Sequence, residues 1–209
     1  MTAKTKLLPV IILIFVAVLG CKQISELANK DKEKPPVITE GPKTFTLAGK
    51  EWKTYDLKGT DIKIDLPAEP KDQTPPLPAS YKSVFSAMHI HSYDEMGFNS
   101  SYSELVPTGK RKFTIKELAD TSMAALKRQV PDLNYTLDIR SDTNAKYNGT
   151  FTRNGKPYEV RGCCIYKMGN DSRVWAVLTL FPKDNPDAQT ASQRIIDSAM
   201  FKGSDEVCK

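Results

Sequence analysis

A chain of 209 residues, 40% hydrophobic and 26% charged, has the makeup of one globular domain that buries a core. Its formal charge of +5, from 30 basic and 25 acidic residues, is too mild for the concentrated basic stripe of a nucleic-acid protein, so no nucleic acid is expected among its partners.

The first 21 residues carry Lys4 and Lys6, an apolar run from Leu7 to Leu19, and then Val18-Leu19-Gly20-Cys21. A positive n-region, a short apolar core and a small residue before the cut are the parts of a secretory signal peptide. Residues 7–20 as a helix reach roughly 21 Å, short of the ~30 Å hydrocarbon core, so a membrane-spanning helix is disfavoured. The last four residues resemble the lipobox of bacterial lipoproteins, with cleavage between Gly20 and Cys21. That resemblance implies a diacylglycerol and an N-acyl chain on Cys21 as the only bound groups, and each buried CH₂ contributes ~0.8 kcal/mol to holding the chain on a membrane. Cleavage removes Lys4 and Lys6 from the 30 basic residues, leaving 28 against 25 acidic, a formal +3. Lys22 stands where an aspartate would resemble the inner-membrane retention signal, so the resemblance favours the periplasmic side of an outer membrane. In a cell with a single membrane, its extracytoplasmic face is the place.

Residues 21–43 form the lipidated N-terminus and a linker rich in Lys, Glu, Asp, Asn and Pro, unable to bury enough apolar surface to order itself. As a coil of about 22 residues its root-mean-square span is on the order of 25 Å. The domain is expected over 44–203, with a short tail at 204–209. Residues 43–47 and 52–57 are rich in Thr, Phe, Trp and Tyr and predict strands, and Ile62-Lys-Ile-Asp-Leu66 alternates cleanly before Pro67. The proline-rich stretch 67–78 predicts a loop. A long strand follows at 81–91 and its partner at 97–105.

Thr114-Ile-Lys-Glu117 has the form of a capping box, in which the Thr hydroxyl takes the N3 amide and Glu117 reaches back to the cap. Ile115, Leu118, Met123, Leu126 and Val130 recur at helical spacing until Pro131, predicting a helix over 114–130. Strands are predicted at 135–140, 146–152 and 158–167, with Asn154-Gly155 turning the last two into a hairpin. Residues 173–181 are apolar on both alternating faces and belong in the middle of a sheet. A final helix begins at Asn185-Pro186-Asp187, uses Ala188, Ala191, Ile195 and Ala199 as its inner stripe, and ends before Gly203.

Hairpin-linked strands with one helix in the middle and one at the end predict an α+β protein, an antiparallel sheet covered by two or more helices. The residues Ile62-Lys-Ile-Asp-Leu-Pro-Ala-Glu-Pro70, the helix 114–130 and the closing Ile195-Ile-Asp-Ser-Ala-Met-Phe201 resemble the PsbP-like fold of uncharacterised bacterial lipoproteins. The resemblance covers roughly residues 52–201. It implies no single chemistry: members include an extrinsic subunit of a photosynthetic complex and a nuclear-import factor, both acting through protein partners. It supplies no catalytic residue to carry over.

Few residues offer chemistry of their own. His89 and His91, the only two histidines, lie on one face of a predicted strand, where two imidazoles can meet one metal and Asp94 or Glu95 would add a carboxylate. Alternation on a half-exposed strand explains the same pair. Beyond Cys21 three cysteines remain, and one disulfide with one buried thiol is the simplest arithmetic for an oxidising compartment. Cys164 shares a face with Tyr158, Val160 and Tyr166 and reads as core. Cys163 shares a face with Glu159, Arg161 and Lys167 and is the better partner for Cys208. No G-x-S-x-G, S-x-x-K or G-x-x-x-x-G-K-[ST] occurs. Four Asn-x-Ser/Thr triplets, at Asn99, Asn134, Asn148 and Asn170, read as polar turns and strand ends. Lys110-Arg111-Lys112 reads as a solvated loop or a contact for lipid phosphate or an acidic partner. Trp52, Tyr55, Trp175 and Phe181 read as core.

The expectation is a membrane-anchored lipoprotein of the cell envelope, binding a protein or envelope component without turnover and with no catalytic residue. The alternatives are a metal-dependent enzyme using His89 and His91, and a carrier of a small molecule or lipid.

Overall fold

A computed structural model describes residues 44–208. The signal segment, Cys21 and the linker lie outside these described residues. Within them are ten strands and two helices, and every strand pairing is antiparallel. The architecture is α+β, as the alternation of hairpins and helices predicts. No helix among the described residues is long and apolar enough to cross a membrane.

Strands β1 (Lys53–Asp56) and β2 (Ile62–Leu66) form a hairpin joined by β10 (Met200–Phe201) into a three-stranded sheet. A seven-stranded sheet holds β3 (Lys71–Asp72), β4 (Phe85–Glu95), β5 (Phe98–Pro107), β6 (Asn134–Ile139), β7 (Asn144–Arg153), β8 (Lys156–Lys167) and β9 (Arg173–Pro182), in the order β3-β4-β5-β9-β8-β7-β6. Strand β9 is central, as its apolar character on both faces requires. Trp175, Val177 and Phe181 enter one core, and Val174, Leu178 and Leu180 the other.

Helix α1 (Ile115–Gln129) covers β6, β7 and β8 on one face of the large sheet. Leu118, Met123 and Leu126 are buried there against Ile90, Tyr147 and Val160, and each contributes about 2 kcal/mol by apolar burial. Thr114 caps the helix, its Oγ1 accepting from the Glu117 amide at 3.1 Å. The other half of the expected capping box does not form. The Glu117 carboxylate accepts from Arg111, which also lies over the Phe113 ring, so one cation of the 110–112 cluster is engaged within the fold.

Helix α2 (Pro186–Ser198) lies on the opposite face, packed on β8, β9 and β2. Asn185 is its N-cap, accepting from the Ala188 amide at 3.0 Å, and Pro186 occupies the first turn, where its missing N–H costs nothing. Ile62, Ile64 and Leu66 of β2 face Ala188, Ala191 and Ile195, closing the second core between the two sheets.

Four stretches depart from the sequence pattern. Residues 44–47 are not a strand: Phe45 inserts as a plug, stacked on Phe98 at 4.7 Å, with its carbonyl accepting from Asn185 Nδ2 at 2.9 Å. Residues 81–84 form a turn in which the Val84 and Phe85 amides both donate to the Tyr81 carbonyl at 2.8 Å, so β4 starts only at Phe85. Within the prolines of 67–78, Lys71 and Asp72 keep their amide donors and pair with Ser92 and His91 as β3. Past α2 the chain turns at Ala199 and lays Met200 and Phe201 against Lys63 and Ile62.

Candidate functional site

The strand register sets His89 opposite Glu104 and His91 opposite Tyr102, on the face that looks toward the small sheet. The β1–β2 turn closes over them. His91, 3% exposed, donates from Nε2 to the Lys58 carbonyl at 3.0 Å. Gly59, at φ +78°, lies against the His89 ring so closely that a Cβ there would stand 3.0 Å from Cε1 and Nδ1. Glu104, also 3% exposed, accepts from the Asp61 amide at 2.8 Å and from the Trp175 indole N–H at 2.6 Å through the same oxygen, Oε2. Arg173 completes the cluster. Its Nε is 3.7 Å from Glu104 and 3.6 Å from Asp61, while Nη1 meets Asp171 at 2.6 Å.

This arrangement latches the turn of the small sheet onto the large one. It does not assemble the metal site the two histidines suggested. Among the described residues no three His, Cys, Asp or Glu side chains converge to hold an ion. Asp94 alternates to the other face and pairs with Lys71 at 3.2 Å. Glu95 pairs with Lys50 at 2.6 Å and accepts from the Tyr93 hydroxyl. Burial pushes the Glu95 carboxyl up, but the hydrogen bonds from Lys50 and Tyr93 prevail and hold it below the usual carboxylate range.

Cys163 and Cys208 are joined as a disulfide with Cα atoms 5.5 Å apart. The face expected for Cys163 was polar. Its sulfur is instead buried among Ile165, Trp175 and Val177, because the C-terminal tail folds over that end of β8 and brings Cys208 with it. The tail is fixed a second time where Glu206 and the Val207 carbonyl accept from Asn144 Nδ2 at 3.1 and 2.8 Å. Cys164 points into the α1-side core as a free thiol, and burial pushes it up to about 12, which leaves it protonated and unreactive near neutral pH.

One concave feature of the large sheet went unread in the sequence. Helix α2 covers β8 and β9, while among the described residues Asn134 and Thr136 of β6 and Asn148 and Thr150 of β7 stay exposed. The result is a trough of about 540 Å³ with Gln193 of α2 as one wall. Two of the Asn-x-Thr triplets make its floor. Asn134-Tyr135-Thr136 on β6 runs antiparallel to Asn148-Gly149-Thr150 on β7, so Asn134 faces Thr150 and Thr136 faces Asn148. Strand β8 extends each row, with Glu159 beside Thr150 and Arg161 beside Asn148. Arg161 donates twice to Glu159, at 2.6 and 3.1 Å, and lies over the Phe181 ring at 5.1 Å, so the one charged pair in the trough neutralises itself. The row containing Arg161 continues under α2 through Thr179 and Ser100, where Thr179 bonds the Ser192 hydroxyl at 2.6 Å. The signal in the sequence was the alternation Asn-x-Thr within predicted strands. Each triplet puts two short polar side chains on one face, and only the pairing of β6 with β7 brings the two sets together.

No protein-family model matches the chain, and no curated protein matches it by sequence. Among solved structures it is similar to the Ran-binding protein Mog1p of Saccharomyces cerevisiae, at 13% identity over 73% of this chain and 96% of that one, with a TM-score of 0.43. It is similar to LpqN of Mycobacterium tuberculosis, a protein involved in cell envelope biogenesis, at 12% identity over 77% of this chain and 98% of that one, with a TM-score of 0.36. A Pseudomonas aeruginosa protein of unknown function is similar at 11% identity over 68% of this chain and 91% of that one, with a TM-score of 0.34.

Proposed function

We propose that this chain is a lipid-tethered module of the bacterial cell envelope that binds a protein or envelope component without turnover. The observation that carries the reading is the run from Lys4 to Cys21, in which charge, apolar length and the small residue before a cysteine all match a lipoprotein signal. The linker that follows gives a domain starting near Phe45 room to reach a partner above the headgroups. An open trough lined by amides, hydroxyls and one self-neutralised ion pair supports binding over catalysis, because none of those groups is an activated nucleophile or a general base with a partner. Lys22 after the acylated cysteine favours the outer membrane where the cell has one.

The test is metabolic labelling with an alkyne fatty acid, comparing wild type with Cys21→Ala and following both through membrane fractionation. Wild type is expected to take the label and sediment with outer-membrane markers, while Cys21→Ala takes none and runs larger by the uncleaved signal. Equal labelling of both forms, or none in the wild type, overturns the anchor.

A further inference from the structure

Resting on that binding-module reading, we infer that the trough on β6, β7 and β8 binds a neutral chain of N-acetylated amino sugars, the glycan backbone of the cell wall. The floor is a quartet, Asn134 and Thr136 against Thr150 and Asn148, with near two-fold symmetry imposed by the antiparallel register. Each Asn amide and each Thr hydroxyl both donates and accepts. Among the described residues no partner takes the side-chain groups of these four, so their capacity is left to whatever enters. Sugar hydroxyls and acetamido groups have the same dual character, and an acetamido group can pair with an Asn or Gln amide through two hydrogen bonds.

The lining selects against the other classes of ligand. A charged ligand would have to compete with the Glu159–Arg161 pair, which is held at 2.6 Å and seated on Phe181. An apolar helix face would find little to bury against, since Asn134, Thr136, Asn148, Thr150, Arg161 and Gln193 dominate the surface. The trough is shallow and broadly open to solvent, which suits a polymer lying along it better than a small molecule enclosed on all sides. An extended peptide would be recognised along the edge of β6, through main-chain bonds, and would leave the β7 side chains Asn148 and Thr150 nearly irrelevant.

The experiment titrates the full-length mature protein, in a detergent without a sugar headgroup, with a soluble hexamer of N-acetylglucosamine and with the glucose hexamer of the same linkage. Binding is read by calorimetry and by amide chemical shifts. The wild type is expected to bind the acetylated oligomer, with shifts confined to β6, β7 and the Gln193 turn of α2, and to bind the unacetylated one at least ten-fold more weakly. Thr136→Ala/Asn148→Ala is expected to lose ten-fold or more in affinity. Thr150→Trp, which fills the trough, is expected to abolish binding. Both variants should keep the wild-type near-ultraviolet circular dichroism and an intact Cys163–Cys208 bridge, because the substituted side chains are exposed. No binding by the folded wild type overturns the inference, as does equal binding by the double variant or a response only to an extended peptide. The readout is independent of acylation at Cys21, so failure here and failure of the labelling experiment are told apart.

Discussion

Glu104 Oε2 receives the Trp175 indole N–H at 2.6 Å in the seam between the two sheets, and the same oxygen receives the Asp61 amide at 2.8 Å. One buried carboxylate therefore joins the centre of the large sheet to the turn of the small one. Removing it strands the buried Trp175 donor and the half-buried Asp61 amide, and takes from Arg173 one of its three carboxylate neighbours. Glu104→Ala is expected to lower the unfolding free energy by about 3 kcal/mol, and Glu104→Gln, which keeps one acceptor, by about 1–2 kcal/mol. Urea unfolding followed by tryptophan fluorescence measures both. A loss under about 0.5 kcal/mol in the alanine form would mean the seam is held by apolar contact alone.

The bridge between Cys163 and Cys208 spans 45 residues of sequence. Closing a loop of that length in the unfolded chain corresponds to about 4 kcal/mol on the loop-entropy estimate, and measured values commonly fall below it. Reduction with dithiothreitol, or Cys208→Ser, is expected to cost about 2–4 kcal/mol in denaturant unfolding. Cys164, protonated and buried, should resist a thiol reagent in the native protein and react on unfolding. Rapid native labelling of one thiol would contradict its placement.

Gly59 carries two separable constraints, a left-handed backbone at φ +78° and the His89 ring at van der Waals limit. Gly59→Ala is expected to destabilise by about 2 kcal/mol. In a His89→Ala background the steric part disappears and only the backbone cost of about 1 kcal/mol should remain. A double-mutant cycle reads the difference, and strict additivity would show that the ring and the turn do not meet.

The hairpin from β4 to β5 turns through Met96 at φ 45° and Gly97 at φ 88°, a two-residue turn that favours Asn-Gly. Met96 is 46% exposed, so its side chain returns little for the strained backbone. Met96→Asn is expected to stabilise the protein by about 0.5–1 kcal/mol, visible as a rise in Tm.

Glu95 sets an acid limit. Its folded carboxyl titrates below the ordinary value of 4.5 because the hydrogen bonds from Lys50 and Tyr93 outweigh burial. A depressed carboxyl contributes stability that is present above the unfolded value and is lost as pH falls through the folded one. Stability is therefore expected to fall below about pH 4.5, with a shallower fall in Glu95→Gln. Identical slopes in the two proteins would remove Glu95 from the account.

What could be read in advance was local. The α1 stripe, the Thr114 cap, the alternation of β2 and the Asn154-Gly155 hairpin depend on neighbours within a few residues, and all appear as the pattern implies. What failed depended on distant partners. Phe45 has the composition of a strand residue but finds a ring to stack on before it finds a strand to pair with. Met200 and Phe201 look like the fraying end of a helix until β2 offers an open edge. Glu117 sits where a capping box wants it, yet a guanidinium six residues upstream competes for its carboxylate. The trough was hidden for the same reason: each Asn-x-Thr triplet alone reads as a polar turn or strand end, and its partner lies on another strand.

The way the chain joins the domain at Phe45 has a mechanical meaning. Tension drawn from the N-terminal side arrives at a ring stacked on Phe98, the Asn185 amide on the Phe45 carbonyl, and the Leu47 amide on Asp187 at 2.9 Å. These are single contacts to one ring and to the start of a helix, and they part in succession, whereas a strand ladder would resist in shear all at once. The segment before β1 is therefore expected to peel away under load before the seven-stranded sheet and the trough on it change shape.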